Sequence, residues 1–297
     1  MDDYGDSDDV ETGGNDIESS NEVESTSDVI ETAEVVDDTG SKDYQAEWNV
    51  SEYSNNTQKD IVTENVNSME NLGFMCGKVS DSVNTYSKEG YDAKFHTEGK
   101  NVLGHHDLQD GSIHIINEYE PAAKHTVTHE IFHKSSYQNE TLVQNEEGFV
   151  STRKSGILEV NNHFDKEGKY ISSNEEGRSL NEGITEMKTL DYLNSKGEIE
   201  AATTFNAYSD NVNVSRQLNE IVGKDVVDSA YFGGNKEGLA NEVNRLAKDD
   251  QAWSKLNSDL EIANTTKDID ERNAALTRID NMLNTMMETK VMEDENI

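Results

Sequence analysis

The sequence predicts an α+β fold with strands and helices segregated, on three observations. Short stretches of strand character cluster between residues 91 and 117, and residues 148–173 are patterned as β-hairpins. From Leu180 almost to the C-terminus, apolar residues recur at helical spacing. A small mixed sheet packed on a central helix, followed by a mostly helical C-terminal half, accommodates all three.

The elements follow in order. Ile61, Val62, Val66, Met69 and Leu72 are spaced as one face of a helix that Gly73 would stop, and Met75–Ser87 reads as a second helix. Tyr91–His96, Val102–His106 and Ser112–Asn117 read as strands, with Asp110-Gly111 as the hairpin turn between the last two. Pro121 sits where a helix should open, and Ala123, Val127 and Ile131 at i, i+4 and i+8 give that helix, running to about Tyr137, a core-facing side. Phe149, Val150, Ile157, Leu158, Val160, Tyr170 and Ile171 are punctuated by the turn candidates Lys154-Ser155-Gly156 and Lys166-Glu167-Gly168. Helices are expected near 180–195, 210–222, 235–248, 251–263 and 268–289. The last carries a core-packing stripe of Ile269, Ala274, Leu276, Ile279, Met282, Leu283 and Met286.

Composition sets the outer limits. The chain has 297 residues, 33% hydrophobic and 29% charged, enough for one or two domains. Its net charge of -36 is uneven: residues 1–40 hold fifteen Asp or Glu and no base before Lys42. A segment so charged and so poor in aromatics cannot offset its ordering entropy by burial, so residues 1–55 are expected to be a disordered acidic tail. The folded domain would then be 56–297, with a hairpin insertion at 141–178 and a helical part at 179–297. This acidity argues against nucleic acid and against anionic membrane surfaces as partners. Cys76 is the only cysteine, so an intrachain disulfide is excluded, and its expected role is a small buried apolar residue. No secretory signal and no apolar run of roughly 18–20 residues is visible, which points to the cytoplasm, or to secretion of a processed form. Nothing in the sequence bears on oligomeric state.

The chemistry is carried by His129-Glu130-Ile131-Phe132-His133, an HExxH motif. Residues four apart share a helix face, so both imidazoles can reach one ion, and the glutamate beside the first can exchange protons with water there. A second element is Asn181-Glu182-Gly183-Ile184-Thr185-Glu186. A catalytic zinc takes three protein ligands, and Glu182 would be the third. Glu186, one turn on, could hydrogen-bond the far nitrogen of a ligand histidine. Gly183 costs about 1 kcal/mol relative to alanine inside a helix, which a close approach to the metal helix would explain. Ser179 with Glu182 also reads as a capping box, a role that competes with metal ligation.

Together the two elements resemble the gluzincin metallopeptidases, in which HExxH is completed by a glutamate on a later helix, over roughly residues 90–195. The resemblance implies a zincin-like fold, a zinc ion, and a protein or peptide substrate. It implies His129, His133 and Glu182 as ligands, Glu130 as catalytic base and Glu186 as the acid supporting a ligand. It also implies that the strand Ser112–Asn117 is the edge that pairs with an extended substrate. The 48 residues between His133 and Glu182 are more than thermolysin-like enzymes have, and the hairpins would fill them. No residue stands out as the hydroxyl or imidazole that polarises the substrate carbonyl. Tyr208 is preferred over Tyr170, Tyr192 and His163. His125 is expected to face solvent, and His105-His106 to be exposed and uninvolved with metal. Two other classes fit the same sequence: a catalytically degenerate zinc-binding scaffold, and an acidic interaction module whose HExxH is accidental.

Overall fold

A computed structural model describes residues 83–97, 102–107, 112–116, 120–203 and 208–295. The acidic segment, the helix expected at 61–72, Cys76 and the Asp110-Gly111 turn lie outside the described residues. Within them the chain is α+β, with sheets and helices segregated.

A three-stranded sheet comes first. It is built from β1 (Val83–Tyr86), β2 (Gly104–His106) and β3 (Ile113–Ile116) in the order β1-β3-β2, with β1 parallel and β2 antiparallel to β3. Two expectations fail here. Val83–Tyr86 is a strand instead of the end of a helix from Met75, and Tyr91–His96 falls in α1 (Lys88–Phe95) instead of a strand. The local reasons for α1 are clear. The Ser87 hydroxyl accepts from the Gly90 amide at 3.1 Å, and Lys88 pairs with Asp92 one turn on at 2.6 Å. His96 closes the helix in the left-handed region, at φ 53°. Because β1 pairs on the far side of β3, β3 is central and wholly buried. The expectation that Ser112–Asn117 offers a free edge is therefore wrong; β2 is the edge strand on that side.

The helix α2 (Glu120–Ser135) carries the motif, with Pro121 in its first turn. Val127, Ile131 and Phe132 pack with Ile113 and Ile115 of β3, and Tyr192 and Leu193 close the same cluster. A four-stranded antiparallel sheet follows, ordered β4 (Gln138–Gln144), β5 (Gly148–Ser155), β6 (Leu158–Asp165) and β7 (Tyr170–Glu176). β4 was not anticipated: it is exposed along its length, and its apolar residues Leu142 and Val143 are adjacent, so it lacks the alternation that marks a half-buried strand.

The C-terminal half is helical: α3 (Arg178–Ser195), α4 (Ile199–Thr203), α5 (Ser209–Val222), α6 (Lys224–Tyr231), α7 (Lys236–Ala247), α8 (Ala252–Thr265) and α9 (Ile269–Asp294). The short helices α4 and α6 are additions to the expected set, since five to eight residues display too little periodicity to read. One large core joins Leu180 and Ile184 of α3 to Leu218, Val243, Leu256 and Leu283 of the later helices. In α9 the buried stripe is Ala275, Ile279, Leu283 and Met286, while Ile269 is 60% exposed. Gly183 serves a different contact from the one expected. A Cβ there would lie 2.5 Å from the Asn211 carbonyl and 2.6 Å from Ser215 Oγ, so it lets α5, not the motif helix, approach α3. Among the described residues no helix is long and apolar enough to cross a membrane.

Candidate metal centre

Two helices build the centre. The four-residue spacing on α2 brings the Nε2 atoms of His129 and His133 to 3.0 Å, and α3 packs beside them. From α3, Glu182 Oε2 lies 3.3 Å from Nε2 of His129 and 3.2 Å from Nε2 of His133. Three donor atoms thus form a nearly equilateral triangle. Ligand bonds of about 2.0–2.1 Å at tetrahedral angles place donors about 3.3 Å apart, so this set fits a small divalent cation.

The second nitrogen of each imidazole is also held. Glu186 Oε2 is 2.8 Å from Nδ1 of His129, and as a carboxylate it accepts, which fixes a proton on Nδ1 and turns Nε2 toward Glu182. Thr185 Oγ1 lies 3.3 Å from Nδ1 of His133. The Tyr231 hydroxyl, 2.7 Å from Thr185 Oγ1, donates to the Phe132 carbonyl at 3.1 Å and so ties α6 to both α2 and α3. The part played by Tyr231 was not legible because α6 itself was not.

Charge at the site is dominated by carboxylates, Glu130 and Glu186 buried and Glu182 half-buried. Burial alone would push Glu182 up, but His133 and His129 hold it well below the usual carboxylate range. Glu186 is likewise brought to about 2 against burial, by His125 and His129. Burial would lower His129, yet Glu182 and Glu186 push it up to about 10. With protein atoms alone, a proton on His129 supplies the positive charge these carboxylates need. A divalent cation supplies the same charge and would displace the proton. Glu130 behaves differently: burial raises it, outweighing the pull of His129 and His133, while the His106 backbone amide donates to it.

The cleft over these groups is lined by β2 and by Arg178 and Tyr208. The ring of Tyr208, just before α5, lies nearly parallel to that of His129, with centroids 5.8 Å apart. Burial and the charges of Glu182, Glu130 and Glu186 raise its phenol, which stays neutral and able to donate. Arg178 is held in place by Glu175, with Nη2 donating to Oε2 at 2.6 Å.

Several expectations are corrected here. Tyr170 is an exposed residue of β7, His163 lies on β6, and Tyr192 is buried against Phe132; none lines the cleft. His125 is buried and does not face solvent: Nδ1 donates to the Ala201 carbonyl at 3.0 Å, and Nε2 is 3.1 Å from Glu186. Its place four residues before His129 was the signal, since that repeat continues the motif's own face. His105 and His106 are half-buried on the cleft edge and not fully exposed. No capping box forms at Ser179, because α3 starts from Gly177 and the Ser179 hydroxyl donates to Glu261 at 2.7 Å. Glu182 is thereby left to the histidines.

No known protein family, curated protein or solved structure matches this chain, so the geometry of the site is what bears on function.

Proposed function

We propose that the protein is a zinc-dependent peptidase of zincin-like fold and gluzincin type, hydrolysing peptide bonds in a protein or peptide substrate. The observation that carries this reading is the triangle of His129, His133 and Glu182 donors, with Glu130 on the same cleft wall. His129, His133 and Glu182 would hold the ion, which when bound supplies Lewis acidity toward the scissile carbonyl and the attacking water.

The chain's own residues do the rest. Glu130 takes the proton from the attacking water and delivers it to the departing amine, a task suited to a carboxyl that burial makes more basic than an ordinary one. The His106 amide holds that carboxylate in place from the edge strand. The neutral Tyr208 hydroxyl donates to the oxygen on which negative charge develops. Glu186 keeps His129 in the tautomer that presents Nε2. β2, as the edge of the three-stranded sheet, offers main-chain groups to an extended substrate. The scaffold reading draws on a missing carbonyl-polarising group, and Tyr208 supplies one. The accidental-motif reading has no place for a carboxylate from another helix converging on both imidazoles.

The test is metal analysis together with turnover of a peptide library by the wild type and by Glu130→Gln. Zinc retained with hydrolysis lost is expected. Equal hydrolysis by the two proteins would remove Glu130 from the mechanism.

A further inference from the structure

A second group of ligating side chains lies on the three-stranded sheet, on the face opposite Ile113 and Ile115. His105 of β2 and His114 of β3 are direct cross-strand partners, so their side chains emerge on one face. Their rings stack with centroids 4.9 Å apart. Asp107, two residues beyond His105, returns to the same face as a strand requires, and Ser112 stands opposite it, the Asp107 amide donating to the Ser112 carbonyl at 2.8 Å. One donor atom from each of His105, Asp107 and His114 lies within 4.8 Å of the others.

The rings are held from outside in the way metal-ligating histidines are. The Tyr91 hydroxyl is 2.6 Å from Nδ1 of His105, and the Tyr86 hydroxyl is 3.0 Å from Nδ1 of His114. Phe95 sits edge-on to both rings, at 4.5 and 4.8 Å between centroids. Two tyrosines and a phenylalanine, delivered by β1 and α1, thus set both imidazoles in orientation. Ser112 Oγ, 2.7 Å from Nε2 of His114, adds a hydroxyl oxygen beside the donors.

We propose that His105, Asp107 and His114 form a second site for a divalent transition-metal ion, separate from the site on α2 and α3. Two imidazoles and a carboxylate select a borderline cation such as zinc over magnesium or calcium, which take oxygen ligands. The ion clamps β2 to β3. It would therefore stiffen the strand whose next residue, His106, holds Glu130 and borders the cleft.

The test is the stoichiometry of zinc bound by the full chain, stripped of metal, reloaded, and desalted in excess magnesium to clear weak binding by surface carboxylates. The wild type is expected to retain two equivalents, Asp107→Asn and His114→Gln one each, and the double variant His129→Ala/His133→Ala one. Combining Asp107→Asn with that pair should leave none. Cobalt substitution gives an independent reading, since Asp107→Asn should remove one of two sets of visible absorption bands. One equivalent in the wild type that Asp107→Asn leaves in place would overturn the second site and leave the peptidase reading intact. Two equivalents that survive His129→Ala/His133→Ala would instead overturn the first site. Circular dichroism on each variant separates loss of a ligand from loss of the fold.

Discussion

Two pairs of histidines meet in this molecule by different routes. His129 and His133 are neighbours because a helix brings every fourth residue back to one face, and any helix there would do so. His105 and His114 are neighbours because β2 and β3 pair in one register, and a slip of one residue would send them to opposite faces. Their surroundings differ as well. The helical pair is backed by the half-buried Glu182 and the buried Glu186, which pull His129 strongly upward. The sheet pair is backed by phenols and an aromatic ring, with one half-buried aspartate. Proximity of two imidazoles is thus cheap to arrange. What sets the helical pair apart is the negative charge that tertiary packing brings to it.

The sharpest way to break this contrast is to remove that charge. Glu182→Ala should bring zinc at the helical pair to background and abolish hydrolysis, while metal content attributable to His105 and His114 is unchanged. Undiminished zinc at His129 and His133, read by metal analysis in an Asp107→Asn background, would show that the carboxylate is dispensable. Next in size, Glu130→Gln should lower kcat/KM by about 10²–10⁴-fold with zinc retained, since it removes proton transfer and no ligand. Tyr208→Phe should cost about 10²–10³-fold in kcat with KM and zinc content little changed, the signature of a donor used mainly in the transition state. A change confined to KM would make Tyr208 a substrate-binding residue instead. Glu186→Gln should weaken zinc binding by roughly 10–100-fold, measured by competition with a chelating dye, because it supports a ligand without being one. The smallest effect belongs to Tyr231→Phe. It removes a hydroxyl that joins Phe132 and Thr185, and should lower unfolding free energy by about 1–2 kcal/mol in a denaturant titration. A loss of catalysis larger than the loss of stability would mean that α6 positions His133 more tightly than its distances suggest.

The contrast also explains what could be read in advance. The motif helix, α3 and the longer helices of the C-terminal half carry enough turns for their apolar period to show, and they fall within a few residues of the expected places. β5, β6 and β7 were visible as hairpins through their turn residues. β4 was hidden by its lack of alternation, and α4 and α6 by their shortness. β1 was hidden because Val83-Asn84-Thr85-Tyr86 continues an apolar spacing that also suits a helix. α1 reads as a strand in the sequence because Tyr91 and Phe95 are residues that favour strands. The Ser87 cap and the Lys88–Asp92 pair overrode that preference.

By itself the sequence determined whatever depends on a short repeat: an α+β order of elements, the shared face of His129 and His133, Glu130 beside them, and Glu182 with Glu186 one turn apart. Tertiary structure decided which groups from distant segments meet. It placed β3 in the centre and β2 at the edge, buried His125 behind Glu186, drew Glu182 away from Ser179, and set His105 against His114. The physical reason is range: helical and strand periods are written in a few consecutive residues, whereas these meetings depend on how whole elements pack.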